Sequence, residues 1–227
     1  MSYIWQDFNI KTFPSETIVF RDGVFCPELS TIEYPVVDKN YDLPVHYIYV
    51  GELVGNNYLD IDILDNVKNQ KIYLSVKVKV NSLAKLNISV KNNGMNSELR
   101  GFVIIENHGN FDFNIDAHHL SINTGISVKT KLLAHANSKS TLKGTAHIYQ
   151  YCENAKSDIE MSAMVDRDAH VMFSPIQKIS SVPDMAAHSA DIAYYTEPQI
   201  EYLYEAGLSD IEVKKVLRDA FINNVDF

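Results

Sequence analysis

From Val45 to about Ala193 the chain alternates apolar and polar residues with a period of two. The pattern is plain in Ile72-Tyr73-Leu74-Ser75-Val76-Lys77-Val78, in Leu86-Asn87-Ile88-Ser89-Val90 and in Phe111-Asp112-Phe113-Asn114-Ile115. It continues through Ile126-Ser127-Val128-Lys129-Thr130-Lys131-Leu132 and Ala169-His170-Val171-Met172-Phe173. A two-residue period places alternate side chains on opposite faces of a strand, so each run predicts a half-buried strand. Asn, Gly, Ser and Asp separate the runs, as turns require. No crossover helix interrupts them, which excludes a doubly wound α/β fold and leaves a sandwich, a closed barrel or a solenoid. A small residue followed by alternating apolars recurs at Ala84, Gly109 and Ala169, and this favours coils of a solenoid.

Outside this region the texture changes. The first 45 residues hold the breakers Phe13-Pro14-Ser15, Cys26-Pro27-Glu28 and Leu43-Pro44, leaving room for short strands such as Thr17 to Phe20 in an arm or partial cap. After residue 193 the period becomes helical. Thr196-Glu197-Pro198-Gln199 and Ser209-Asp210-Ile211-Glu212 are both capping boxes, and Gly207 between them suits the left-handed residue that ends a helix. Ile200, Leu203 and Tyr204 share one face of the first helix; Val213, Val216, Leu217, Ala220 and Phe221 form a stripe on the second. The expected organisation is therefore an arm over 1–45, a β core over 46–193 and a helical hairpin over 194–227. The stripe suits packing on the open end of a solenoid, whose strand edges need cover.

With 46% hydrophobic and 22% charged residues among 227, the composition is that of a globular chain with a full core. The net charge of −9 repels a phosphate backbone, so nucleic-acid binding is not expected. No apolar run is long enough for a membrane helix, and the start Met1-Ser2-Tyr3-Ile4-Trp5 lacks a secretory pattern. A cytoplasmic protein is expected. Its two cysteines, Cys26 and Cys152, form neither a disulfide framework nor a zinc spacing.

The C-terminal segments carry a resemblance. Ala186-Ala187-His188-Ser189-Ala190, Gln199-Ile200-Glu201-Tyr202-Leu203 and Ala206-Gly207-Leu208-Ser209 resemble, without a gap in spacing, the end of the SufB/SufD family of the SUF iron–sulfur cluster assembly system. Ala155-Lys156-Ser157-Asp158, Met161 to Val165, Val19-Phe20-Arg21-Asp22-Gly23 and Pro27-Glu28-Leu29-Ser30 match more faintly. The resemblance implies a right-handed parallel β-helix with a C-terminal helical hairpin, shortened at the N-terminus. It further implies pairing with a SufB-like protein through the last coils and docking of the SufC-like ATPase on the hairpin, whose nucleotide-driven dimerisation would strain the solenoid pair. Asp158 stands where the resemblance places a cysteine that SufB requires, and Ala186 replaces another family cysteine. Both changes point to the SufD branch. A homodimer in isolation is left open.

Individual residues narrow this reading. The resemblance matches His188 to the histidine that SufD uses at the SufB interface, where an imidazole could ligate iron or move a proton. Glu201, Tyr204, Lys214 and Arg218 are the candidate SufC contacts, on helix faces turned from the solenoid. Clusters need close to four thiolates, so the chain alone holds no metal, and any iron–sulfur cluster is held transiently with ligands shared with a partner. His118 and His119 look metal-like beside His108, but adjacent strand residues face opposite sides. Asp60 and Asp62 alternate with Leu59, Ile61 and Ile63 and read as a solvated sheet face. No nucleophile elbow, P-loop or dinucleotide loop is present, so no enzymatic activity is expected. The alternative is a β-solenoid or sandwich module that binds carbohydrate, suggested by the Tyr- and Asn-rich acidic composition; a solenoid polysaccharide lyase or hydrolase would need a carboxylate cluster that the sequence does not offer.

Overall fold

The computed structural model describes residues 17–21, 24–30, 45–53 and 57–223. The breakers at Phe13-Pro14-Ser15 and Leu43-Pro44 and the Asp22-Gly23 pair lie outside them. Among these residues thirteen strands and two helices follow in order: β1 Thr17–Arg21, β2 Val24–Phe25, β3 Val45–Leu53, β4 Asn57–Asp65, β5 Lys71–Val80, β6 Leu83–Asn92, β7 Glu98–Asn107, β8 Asn110–His119, β9 Gly125–Ala134, β10 Lys139–Ile148, β11 Lys156–Val165, β12 His170–Ile179, β13 Met185–Ala193, α1 Glu197–Glu205 and α2 Asp210–Asn223.

From β3 onward, successive strands alternate between two parallel sheets, one ordered β13-β11-β9-β7-β5-β3-β1-β2 and the other β12-β10-β8-β6-β4. Each pair of strands is one coil of a flattened parallel β-solenoid, and β13 begins a sixth. This separates the solenoid from the sandwich and barrel that the two-residue period left open. In the arm, β1 pairs parallel with β3 and antiparallel with β2.

Register is set by the turns. Lys71 stands opposite Glu98 and Glu98 opposite Gly125, so equivalent residues recur every 27 positions in these coils. At one corner Asn69, Asn96, Asn123 and Asn154 all have positive φ, a conformation Asn tolerates better than most residues. Their amides form a ladder: Asn96 donates to Asn69 at 3.2 Å, Asn123 to Asn96 at 2.8 Å and Asn154 to Asn123 at 3.1 Å. Stacking equal turns thus satisfies polar groups that a lone turn would leave to water. Backbones come close enough here to demand glycine: a Cβ on Gly94 would stand 2.1 Å from the Val67 carbonyl oxygen.

Inward rows fill the space between the sheets. Ile72, Leu99 and Ile126 stack one per coil, as do Leu86, Phe113 and Leu142, and all are buried. Outward residues such as Asp60 and Asp62 are exposed, as the alternation predicts. One inward row is polar: Asp65, Asn92 and His119. Each draws on the next turn or its own. Val67 donates its amide to Asp65 at 3.0 Å, Ser97 bonds to Asn92, and His119 Nδ1 meets Thr124 Oγ1 at 2.9 Å. Burial raises the Asp65 carboxyl above its usual range.

The helices depart from expectation. Thr196 and Gln199 form the capping box, with the Thr196 amide donating to Gln199 Oε1 at 2.8 Å, and Ser209 with Glu212 repeats it at 2.8 Å. Gly207 takes φ +87°. The hairpin, however, lies along the side of the solenoid and not on its end. Phe221 sits under Lys131 Nζ of β9, 4.7 Å from the ring centre, Arg218 reaches Glu106 of β7 at 3.1 Å, and Tyr195 donates its hydroxyl to the Leu217 carbonyl at 2.5 Å. The cause is in the sheet. Ile104, Lys131, Leu133 and Ser162 point outward yet are buried, so this face offers α2 an apolar seat that the alternation conceals. The contact row is Val213, Leu217 and Phe221; Val216 is exposed.

His119 carries a pH dependence. Burial pushes its pKa down to about 4, against 6.5 in the unfolded chain. The unfolded state therefore binds the extra proton, and stability is full above about pH 6.5 and falls as pH drops toward 4. At 1.36 kcal/mol per unit the loss is about 3 kcal/mol. Replacing His119 with Asn, the residue one coil earlier in the same row, is expected to flatten urea-unfolding stability between pH 6.5 and 4. An unchanged slope in H119N would assign the acid sensitivity to other groups.

Candidate functional site

The C-terminal end of the stack is where the inward rows stop being covered. The column Leu74, Gly101, Val128, Ile159 and His188 runs through five strands of one sheet. Ile159 is wholly buried, while His188 above it is half-buried. In the other sheet Leu142 is buried, and Phe173 opposite it is half-buried although packed on the core. Among the described residues, the two last strands, β12 and β13, are also edges of their sheets. An edge of a parallel sheet presents a row of unpaired N–H and C=O groups.

His188 is the half-buried polar residue in the inward row of β13. Its Nε2 is buried and has no hydrogen-bond partner among the described residues, an arrangement that costs free energy unless another group completes it. Burial lowers the imidazole pKa, with Asp158 opposing the shift, so the ring is neutral and has a lone pair to offer. Asp158 lies on the outward face of the adjoining β11, one residue from the position paired with His188. Its carboxyl is raised, first by burial and then by Glu160. Ala186 packs on the small cluster of Ile148, Cys152 and Ala155.

Neither cysteine is a ready ligand. Cys152 is buried, its Sγ donates to the His119 carbonyl at 3.1 Å, and burial raises the thiol pKa. Cys26 is buried as well. Of the hairpin candidates, Glu201, Tyr204 and Lys214 are exposed. Arg218 is engaged by Glu106, although 40% of its side chain stays accessible. Tyr202, Ile211 and Val216 are also exposed there. These apolar and aromatic side chains are accessible around both helices rather than on a single face.

His118 and His119 divide as strand geometry requires, His119 inward and His118 outward. His118 stacks on His147 at 4.4 Å, and its Nδ1 meets the Tyr149 hydroxyl at 3.0 Å. His108 is elsewhere, at the opposite corner, stacked on His135 at 3.9 Å with both rings near Glu106. That group went unrecognised in the sequence. The signal was the coil period, which brings His108 and His135 to equivalent turn positions.

Residues 62–221 match the family described as SUF system FeS cluster assembly, SufBD core domain. The match runs from β4 through most of α2. Over 105 residues the chain is 27% identical to the iron–sulfur cluster assembly protein SufB of Bacillus subtilis (strain 168). The alignment takes in 46% of this chain and 23% of that relative, so the shared segment is about a quarter of SufB's length.

Phe221 is the apolar anchor of the hairpin, 6% exposed. Phe221→Ala is expected to weaken docking by about 3 kcal/mol, the cost typical of emptying a buried aromatic site. Amide exchange should quicken across 197–223 and stay unchanged in β5 to β10. Quickening spread evenly over the solenoid would contradict a separately docked hairpin.

Proposed function

The chain belongs to the SufBD core-domain family of the SUF iron–sulfur cluster assembly system, and we propose that it serves there as a non-enzymatic, SufD-like subunit. The observation that carries the proposal is the open last coil, which among the described residues has two unpaired strand edges and the unpartnered Nε2 of His188. A SufB-like chain placing its own last coil against this end would continue both sheets, cover Phe173 and bring ligands to His188. Strand edges associate readily in this way because the new hydrogen bonds replace water on both sides. In isolation the same end can pair with its copy.

The SufD branch is favoured by chemistry at two positions. Asp158 occupies the place that the resemblance gives to a SufB cysteine, and a hard carboxylate does not substitute for a soft thiolate on iron–sulfur iron. Cys152 is tied into the core by its bond to the His119 carbonyl. Any cluster formed at the end coil therefore draws its thiolates from the partner, and the cluster is cargo of the pair. His188 contributes one imidazole.

The SufC-like ATPase takes the hairpin in this reading, on Tyr202, Tyr204, Ile211 and Val216 with Glu201 and Lys214 at the rim. Arg218 then acts inward. Its bond to Glu106, with the Phe221 contact to Lys131, fixes α2 to β7 and β9, so a force on the hairpin reaches the solenoid wall. The carbohydrate-binding alternative has no comparable support in the family.

Co-expression with SufB-like and SufC-like proteins tests the assignment. A complex of the three chains by size exclusion with light scattering is expected, and its absence would refute the proposal. His188→Ala should leave that complex intact while cutting the yield of assembled cluster severalfold. An unchanged yield would reduce His188 to an end-coil residue without chemistry.

A further inference from the structure

The second corner of the solenoid stacks His108, His135 and Asp166 in one column, each amide bonded to the coil before it: His108 to the Val80 carbonyl at 2.8 Å, His135 to Asn107 at 2.9 Å and Asp166 to Ala134 at 2.8 Å. Glu106 stands beside this column at the outward end of β7. Its Oε1 lies 3.2 Å from His108 Nε2 and 3.2 Å from His135 Nε2. The three donor atoms fall within 4.8 Å of one another. Two donors bound tetrahedrally to one zinc ion, each at about 2.1 Å, stand roughly 3.4 Å apart. The two distances from Glu106 Oε1 are close to that.

The surroundings complete the case. Asp166 Oδ2 lies 3.2 Å from His135 Nδ1, the contact by which a carboxylate fixes the tautomer of a ligating histidine. With the Nδ1 proton toward Asp166, His135 Nε2 turns a lone pair toward a carboxylate oxygen. Two acceptors then face each other, and among the described residues the buried His135 Nε2 has no hydrogen-bond partner of good geometry despite its 3.2 Å approach. A metal ion between them, like a second proton on the ring, resolves the conflict. Arg218 holds the other oxygen, Oε2, at 3.1 Å and so keeps Oε1 aimed at the rings.

We propose that Glu106, His108 and His135 form a binding site for one divalent transition-metal ion, positioned by Asp166 and Arg218 and distinct from the end coil that carries His188. Two imidazoles and a carboxylate suit zinc or ferrous iron. The rings are stacked nearly parallel, so His108, the more exposed at 36% against 28% for His135, must turn out of the stack for both lone pairs to meet one ion while Asp166 holds His135, and solvent supplies the remaining position. The site joins β7, the turns after β7 and β9, and α2 through Arg218. Its occupancy therefore bears on the seating of the hairpin, whatever the end coil pairs with.

The test uses the full chain, free of any tag, titrated with Zn²⁺ against a chromophoric chelator and with Co²⁺ by visible absorption. One equivalent of each is expected. Glu106→Gln and His135→Ala should each weaken Zn²⁺ binding more than about tenfold and change or abolish the Co²⁺ spectrum. Asp166→Asn should weaken binding about tenfold, the usual effect of losing an orienting partner, while leaving the spectrum's form. The paired control is His118→Ala with His147→Ala, which removes the other histidine stack. Circular dichroism on each variant confirms that the fold is kept. Retention of the equivalent in a folded Glu106→Gln, His135→Ala double variant would overturn the proposal, as would its loss in the His118→Ala, His147→Ala control.

Discussion

Everything in this molecule depends on one coil hydrogen-bonding to the next in parallel register. A single coil of two strands has no core of its own; it closes its apolar rows only against neighbours above and below. The same stacking that joins Ile72 to Leu99 and Ile126 also lines up the turns, so residues that are remote in sequence meet as columns. The asparagine ladder, the buried Asp65, Asn92 and His119 row, and both histidine stacks are consequences of that repetition. So is the open end. A stack that grows by adding coils must stop somewhere, and where it stops the inward row is left half covered.

This constraint assigns different work to the ends and the sides. The end after β12 and β13 offers hydrogen bonds and apolar surface of the kind another coil would use. The side, at β7 and β9, is where Ile104, Lys131 and Leu133 break the alternation and give α2 its seat. Because the hairpin lies on the side, it does not compete with a partner for the end. The two contacts proposed for this SufBD core-domain protein, with a second solenoid and with an ATPase, can then be made at once.

Much of the fold is legible in the sequence because strand period, capping boxes and turn residues are local properties. The strands, the limits of α1 and α2 and the division of His118 from His119 follow from them directly. The solenoid itself needed the long-range period, which is written in Asn66-x-x-Asn69, Asn93-x-x-Asn96 and Asn123 but is blurred where the spacing lengthens to 31 between Asn123 and Asn154. Read as turn punctuation, those asparagines say little; read as a ladder, they fix the register. The same omission hid Glu106, His108 and His135, which share no local motif. The helical stripe misled for another reason: an amphipathic face shows that a helix docks, but not on what, and the outward apolar residues of β7 and β9 decided it. The resemblance supplied the family, which neither period nor composition could give.

The end coil is the proposed partner-facing surface on which the rest of the assignment depends. Hydrogen exchange of the chain with and without a SufB-like partner measures this most directly. Slowed exchange confined to β12, β13 and the Ser180–Asp184 turn between them is the expected result, with β4 to β8 unchanged. Protection along the outer face of the sheets, with β12 and β13 exchanging as in the free chain, would contradict it.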